Sequence, residues 1–330
     1  LSKVIVKEKT QREMFHVKNI NGLKEVEEKL LKEILDVNGD IYKICLRLIK
    51  SGGKRIRPIL VLCSSQCFGE LTKEAIQTAA AYEFIHMASL VHDDIIDESF
   101  VRRNKPTVNA LEGNQVSVLV GDYLFAKAFE ILSTNRSIKS MSIAVKAIQQ
   151  MCDGEIVQAD NKFNLNQTIE NYYERIYKKT GILIASCCQA GAIIGGADKV
   201  QVEALKAYGK NLGYAFQIID DLLDFTGNEE SLGKPVGCDL REGNITLPIL
   251  KLINQSIYKD RLKKMFKKGI TVESYYEILY LLKENNALEE AYDEAVYCIK
   301  KAKDALEIIE DSMYKRMLLD IADKVLVRKN

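Results

Sequence analysis

The sequence predicts an all-α protein, and three observations carry that expectation. Apolar residues recur at three- and four-residue steps along most of the chain, no stretch alternates apolar with polar side chains as a half-buried strand does, and only four prolines interrupt 330 residues. With 47% apolar and 28% charged residues, the composition suits a globular chain able to bury a sizeable core. No shift in composition marks a linker. One domain is therefore expected over 1–330, a single helical bundle, with 1–20 as a loosely ordered N-terminal segment. The net charge of +1 hints at no nucleic acid and no strongly anionic surface, so phosphate must be held by local clusters.

Taken in order, KEVEEKLLKEIL (24–35) is the first amphipathic helix, and SGGKRIRP (51–58) breaks the pattern with a Gly-Gly turn, three cations and a proline. AIQTAAAYEFIHMASLVHDDIID (75–97) reads as a long helix, followed by a second break at RRNKPT (102–107). From Gly181 to Ala197 the chain is apolar all round and rich in Gly, Ala and Ser, as befits a helix at the centre of a bundle. It is too short for the ~20 residues that span a bilayer, so no transmembrane segment is expected. A helix then carries FQIIDDLLDF (216–225), and a polar stretch runs over 227–248. Ala291, Ala295, Ile299, Ala302, Leu306 and Ile309, then Met317, Ile321 and Val325, mark the last helical stripes.

Eight cysteines lie at no zinc-ligand spacing and mostly inside apolar runs, as reduced thiols used for packing do. The N-terminal residues lack the apolar core of a signal peptide. A cytoplasmic location is expected, with a removed targeting segment left open because the first residue is Leu1.

HDDIID (92–97) and IDDLLD (219–224) are one motif written twice inside apolar surroundings. On a helix Asp93 and Asp97 stand one turn apart on one face, with Asp94 about 100° round, and Asp220, Asp221 and Asp224 repeat the pattern. Like charges so placed repel, so a cation is expected between them. Carboxylates without His or Cys partners suit a hard ion such as Mg²⁺, which shares its shell with water and phosphate oxygens. The implied substrate is a diphosphate. Lys54, Arg55 and Arg57, Arg102 and Arg103, Lys178 and Lys179, and Lys234 lie beside loops near these motifs, and they outnumber the needs of one diphosphate. Two phosphorylated substrates are expected. His86, two turns before Asp93, and Gln217, three residues before Asp220, gain interest by position.

Together these stretches resemble the trans-prenyl diphosphate synthases, or polyprenyl synthetases, with GGKRIRP, FIHMASLVHDDIIDESFVRRNKPTVN, GDYLFAKAF, KKTG, FQIIDDLLDF and GKPVGCDLREGNITLP in one order. The resemblance implies a bundle around a deep central cavity, usually a homodimer, condensing an allylic diphosphate with isopentenyl diphosphate. By position, Asp93, Asp94, Asp97, Asp220, Asp221 and Asp224 look like Mg²⁺ ligands, with three ions expected per site and Mn²⁺ able to substitute. Lys54, Arg57, His86 and Arg103 match the isopentenyl diphosphate site, and Arg102, Lys179, Thr180, Gln217 and Lys234 match contacts to the allylic diphosphate. The catalytic set implied is Asp93, Asp94, Asp97, Lys179, Asp220 and Lys234. Asn244 stands where the family commonly has a lysine, which places one cationic contact in doubt.

A product growing along the helix before Asp93 passes about one isoprene unit per ~5.4 Å turn. Its wall would be Ser89 and Ala88, both small, then Ile85, Phe84 and Tyr82. The aromatic stopper that marks short-chain members is missing, so a product longer than C20, with C30–C40 favoured, is expected. A short-chain farnesyl or geranylgeranyl diphosphate synthase, a class I terpene cyclase and a partner-dependent subunit of a hetero-oligomer stay open as alternatives.

Overall fold

The computed structural model describes residues 20–37, 39–134, 138–226, 237–254 and 256–327. Residues 1–19, and with them nearly all of the segment expected to be loose, lie outside the described residues; Ile20 already packs into the core.

The molecule is helical almost throughout. In order come α1 (Leu23–Lys32), α2 (Asp40–Lys50), α3 (Ile56–Gln66), α4 (Lys73–Ile96), α5 (Val108–Thr134), α6 (Ile138–Asp160), α7 (Ile169–Ile176), α8 (Ile182–Ile194) and α9 (Lys199–Thr226). A short α10 (Cys238–Arg241) precedes α11 (Leu247–Asn254), α12 (Lys259–Lys268), α13 (Val272–Glu284), α14 (Ala287–Ala305) and α15 (Met313–Leu326). The sequence stripes become buried faces: Ala291, Ala295, Ile299 and Ala302 on α14, Met317 and Val325 on α15. Leu306 and Ile309 continue that stripe past the end of α14 and stay in the core.

Two details differ from the sequence reading. The break at 102–107 holds a small antiparallel hairpin, Val101–Arg102 against Lys105–Pro106. Pro58 and Pro248 sit inside the first turns of α3 and α11, where a missing N–H costs no helical hydrogen bond.

At the centre lies α8. Ile182, Leu183, Ile184, Ala185, Cys187 and Cys188 are all buried, as its all-round apolarity predicts, and the helix packs against α3, α9, α6 and α4. All eight cysteines are free thiols, and burial pushes the Cys188 thiol up to about 12. The two acidic motifs sit on α4 and α9, both of which contact α8.

Arg55 belongs to this framework rather than to the substrate site. Its guanidinium is 8% exposed and donates to Glu27, to the buried Glu83 and to the Ile49 carbonyl. That fixes the Gly-Gly turn against α1 and α4 and leaves Lys54, which is exposed, outside the cluster.

Close approach at glycine sets the depth of the bundle. A Cβ on Gly213 of α9 would stand 2.5 Å from the Cα of Gly181, so no larger residue lets α9 reach the chain entering α8. Gly213→Ala should therefore destabilise the fold by about 1–3 kcal/mol. Urea unfolding followed by circular dichroism checks it, with a lower midpoint and an unchanged slope expected.

Candidate active site

The first acidic motif closes α4. Asp93 and Asp94 occupy its last turn and Asp97 caps its C-terminus, its N–H donating to the Asp93 carbonyl at 2.8 Å. Asp94 is buried, and its Oδ1 accepts from Arg102 Nε at 2.8 Å. Burial raises its pKa, against the pull of Arg102. The outer pair stays accessible: Asp93 is half-buried and Asp97 exposed. Asp93 is pushed up to about 7, chiefly by burial, then by the charge of Glu155, with Lys179 opposing.

The second motif is built differently. Asp220 is exposed on α9, whereas Asp221 and Asp224 are 4% and 1% exposed. Asp221 accepts from Tyr172 Oη at 2.7 Å and from Gln217 Nε2 at 3.0 Å, and burial, with the nearby Asp239, pushes it up to about 7. Asp224 Oδ2 accepts from the Asp239 N–H at 3.1 Å and so anchors α10. In each motif the middle aspartate is buried and held by protein, while Asp93, Asp97 and Asp220 keep surface exposure.

Between α7 and α8, residues Tyr177–Gly181 form a π turn, a widened turn that recurs at functional sites. It holds KKTG, and neighbouring residues there turn to different partners. Lys178 pairs with Asp153 and Glu174, each at 2.7 Å. Lys179 Nζ lies 3.0 Å from Glu155 Oε1, and although burial opposes it, Glu155, Asp97 and Asp93 hold its pKa above the usual value. The Thr180 hydroxyl donates to Gln217 Oε1 at 2.8 Å, and Gln217 passes the chain on to Asp221. The π turn thus ties the first motif, through Lys179, to the second, through Thr180. Gly154 permits this, since a Cβ there would stand 2.8 Å from the Cβ of Lys178.

A second cationic group gathers on the other flank. Arg103 donates to the Gly52 carbonyl at 2.6 Å, which seats the hairpin on the Gly-Gly turn. Arg57 is half-buried, its Nε has no hydrogen-bond partner among the described residues, and burial lowers its pKa. His86 is held well below its usual value by burial and by Arg57, Arg103 and Arg102, so it is neutral. Asp93 lies within electrostatic reach of Arg57 as well as of Lys179.

On α4, His86, Ser89 and Asp93 share one half-exposed stripe, and Tyr82 lies fully buried at its far end. Phe84, Ile85 and Ala88 are fully buried too. Ala88 falls on the flank that leads to His92, whose ring packs on Phe125 of α5 with centroids 5.7 Å apart.

Among the described residues no three carboxylate, imidazole or thiol side chains converge into a metal site by themselves. The accessible carboxylates of Asp93 and Asp97 are oxygen donors of the kind that fits a hard divalent ion such as Mg²⁺, which takes one or two carboxylates and completes its shell with water and phosphate. Lys234 lies outside the described residues. Asn244 is 8% exposed, neutral, and within 3.4 Å of Glu242. Sequence reasoning missed Glu155 and Tyr172; the run Asp153-Gly154-Glu155, two acids about a glycine, was the one signal for the former.

Residues 39–282 match the family model described as polyprenyl synthetase. A short chain isoprenyl diphosphate synthase of Methanothermobacter thermautotrophicus is 38% identical over 92% of this chain and 95% of its own length. A heptaprenyl diphosphate synthase component 2 of Geobacillus stearothermophilus is 37% identical over 92% and 94%. The crystal structure of a polyprenyl synthase from Caulobacter crescentus complexed with calcium and isoprenyl diphosphate superposes with a TM-score of 0.87 at 34% identity, covering 97% of this chain and 100% of that one.

Asp93 and Asp221, raised from 3.8 to about 7, bind protons in the folded chain that the unfolded chain has already lost. Their contribution to the stability of the metal-free protein should therefore fall as the pH rises from about 4 to 7 and then level off. Asp93→Asn with Asp221→Asn should flatten this profile, as calorimetric melts would read. Half-saturating Mg²⁺ should rise as the pH drops below about 7, because protons then compete for the same oxygens.

Proposed function

This chain belongs to the polyprenyl synthetase family and is a trans-prenyltransferase, and from that premise we propose that it extends an allylic diphosphate by repeated addition of isopentenyl diphosphate to an all-trans product longer than C20, with C30–C40 favoured. The observation that carries the two-substrate reading is the separation of two cationic groups, Arg57, His86 and Arg103 on one flank and Lys179 with Thr180 and Gln217 on the other, about the half-open Asp93.

In this reading Asp93, Asp97 and Asp220 would hold the metal directly, Asp94, Asp221 and Asp224 would orient them, and Lys179, Thr180, Gln217 and Arg102, with Lys234 by its place in the sequence, would contact the allylic diphosphate. Bound there, Mg²⁺ (three ions per site in this reading, replaceable by Mn²⁺) would supply positive charge to neutralise the leaving diphosphate. The calcium named for the Caulobacter protein supports a divalent ion. Lys54, Arg57 and Arg103 orient isopentenyl diphosphate. The neutral His86 donates or accepts a hydrogen bond without adding a charge that would repel an allylic cation. No side chain is needed as a strong base, since the departing diphosphate can itself take the proton. The apolar residues between the motifs keep water from the cation.

Chain length rests on α4. Relatives of short and long product are about equally similar, and the reading rests on the side chains: Ser89, small and half-exposed on the stripe, leaves the way open where an aromatic would close it, while Ala88 is fully buried on the flank toward His92. A homodimer is supported by Leu111, Val118 and Leu119, which are exposed on α5. A second reading, a subunit that needs a partner, draws on the buried neutral Asn244 and on the word component in the Geobacillus name.

Purified chain with Mg²⁺, farnesyl diphosphate and labelled isopentenyl diphosphate tests both: elongation without a partner is expected, and inactivity until a partner is added would favour the subunit reading. Asp93→Ala should lower turnover by at least 10²-fold with its circular dichroism unchanged; activity retained by it would remove the metal assignment. Ser89→Phe, on the half-exposed stripe, should shorten the product while turnover persists, as chromatography of the derived alcohols would read; an unchanged product distribution would count against this wall.

A further inference from the structure

Lys179 stands among three acids. Both oxygens of Glu155 approach its Nζ, at 3.0 and 3.3 Å, and Asp97 and Asp93 act on it through space. The contact with Glu155 is sheltered, the two side chains being 26% and 20% exposed. It is also geometrically forced: Gly154 brings α6 against the backbone of Lys178 and Lys179, and Lys178 is already taken by Asp153 and Glu174. Glu155 has no place in the substrate contacts above, and an acid within reach of a diphosphate site would be a liability without a task.

We propose that Glu155 is a positioning residue that holds Lys179 off Asp93 and Asp97 in the free protein, keeping the first acidic motif open to divalent metal until a diphosphate draws the ammonium away. This rests on the metal and diphosphate reading of the site. Asp94 does not need such help, because Arg102 is its fixed partner at 2.8 Å. Without Glu155 the ammonium would be left to the other two acids that act on it, Asp97 and Asp93, and would compete with the ion for their oxygens.

The test is a double-mutant cycle on the full chain, which isolates a coupling between two residues. Mg²⁺ is titrated calorimetrically in the presence of inorganic pyrophosphate into the wild type, Glu155→Gln, Lys179→Gln and the double variant, and half-saturating Mg²⁺ is measured in the condensation assay. Glu155→Gln should weaken Mg²⁺ about tenfold by both readouts with kcat at saturating Mg²⁺ lowered less than threefold, and in the Lys179→Gln background it should weaken Mg²⁺ less than twofold. Glu155→Asp, which keeps the charge, should restore most of the loss. Equal weakening in both backgrounds would overturn the proposal, since Glu155 would then attract the metal by its own charge. An unchanged Mg²⁺ affinity in Glu155→Gln would overturn it as well. A wild-type chain that takes up no Mg²⁺ with pyrophosphate would overturn the metal reading itself, and this inference with it.

Discussion

Two adjacent residues, Lys179 and Thr180, reach toward different acidic motifs, and the rest of the site depends on that divergence. The widened turn over 177–181 makes it available, and glycines at 154, 181 and 213 let α6, α9 and the turn itself crowd together around it. A regular helix through these residues would lack the extra residue per turn, and a larger side chain at any of the three glycines would move one wall away. The π turn therefore couples backbone geometry to electrostatics: charge on α4 and hydrogen bonding on α9 are registered against each other through one short stretch of chain.

That registration explains why the two copies of the motif are unequal. Each middle aspartate is bound by protein, Asp94 by Arg102 and Asp221 by Tyr172 and Gln217, so each carries part of its burial cost through hydrogen bonds. The outer aspartates then differ, because α4 ends at its motif while Asp224 on α9 seats α10. Asp93 and Asp221 are left ionisable near neutrality, the first half-exposed and the second enclosed by its hydrogen-bond partners.

The cations divide in the same manner. Arg55 and Arg57 are two residues apart, yet the first is enclosed by Glu27 and Glu83 and the second has an Nε without a hydrogen-bond partner among the described residues. Lys178 and Lys179 are neighbours, and the first is clamped by Asp153 and Glu174 while the second faces the site. Arg55 precedes α3 in a left-handed conformation that turns it to the framework, whereas Arg57 lies within the helix, and Lys178 and Lys179 diverge within the π turn.

Much of this was legible in the amino-acid sequence. The helical class, the central α8, the two aspartate motifs and the cationic clusters follow from side-chain periodicity and charge spacing, which are local properties of a helix and need no knowledge of what it packs against. Tertiary structure alone decided which member of each charged pair serves the site, that Asp221 is held by Tyr172 across 49 residues of chain, and that Glu155 meets Lys179. Those outcomes depend on how closely separate helices approach, and that distance is set by glycines and a π turn whose meaning appears only when the surfaces on both sides are present.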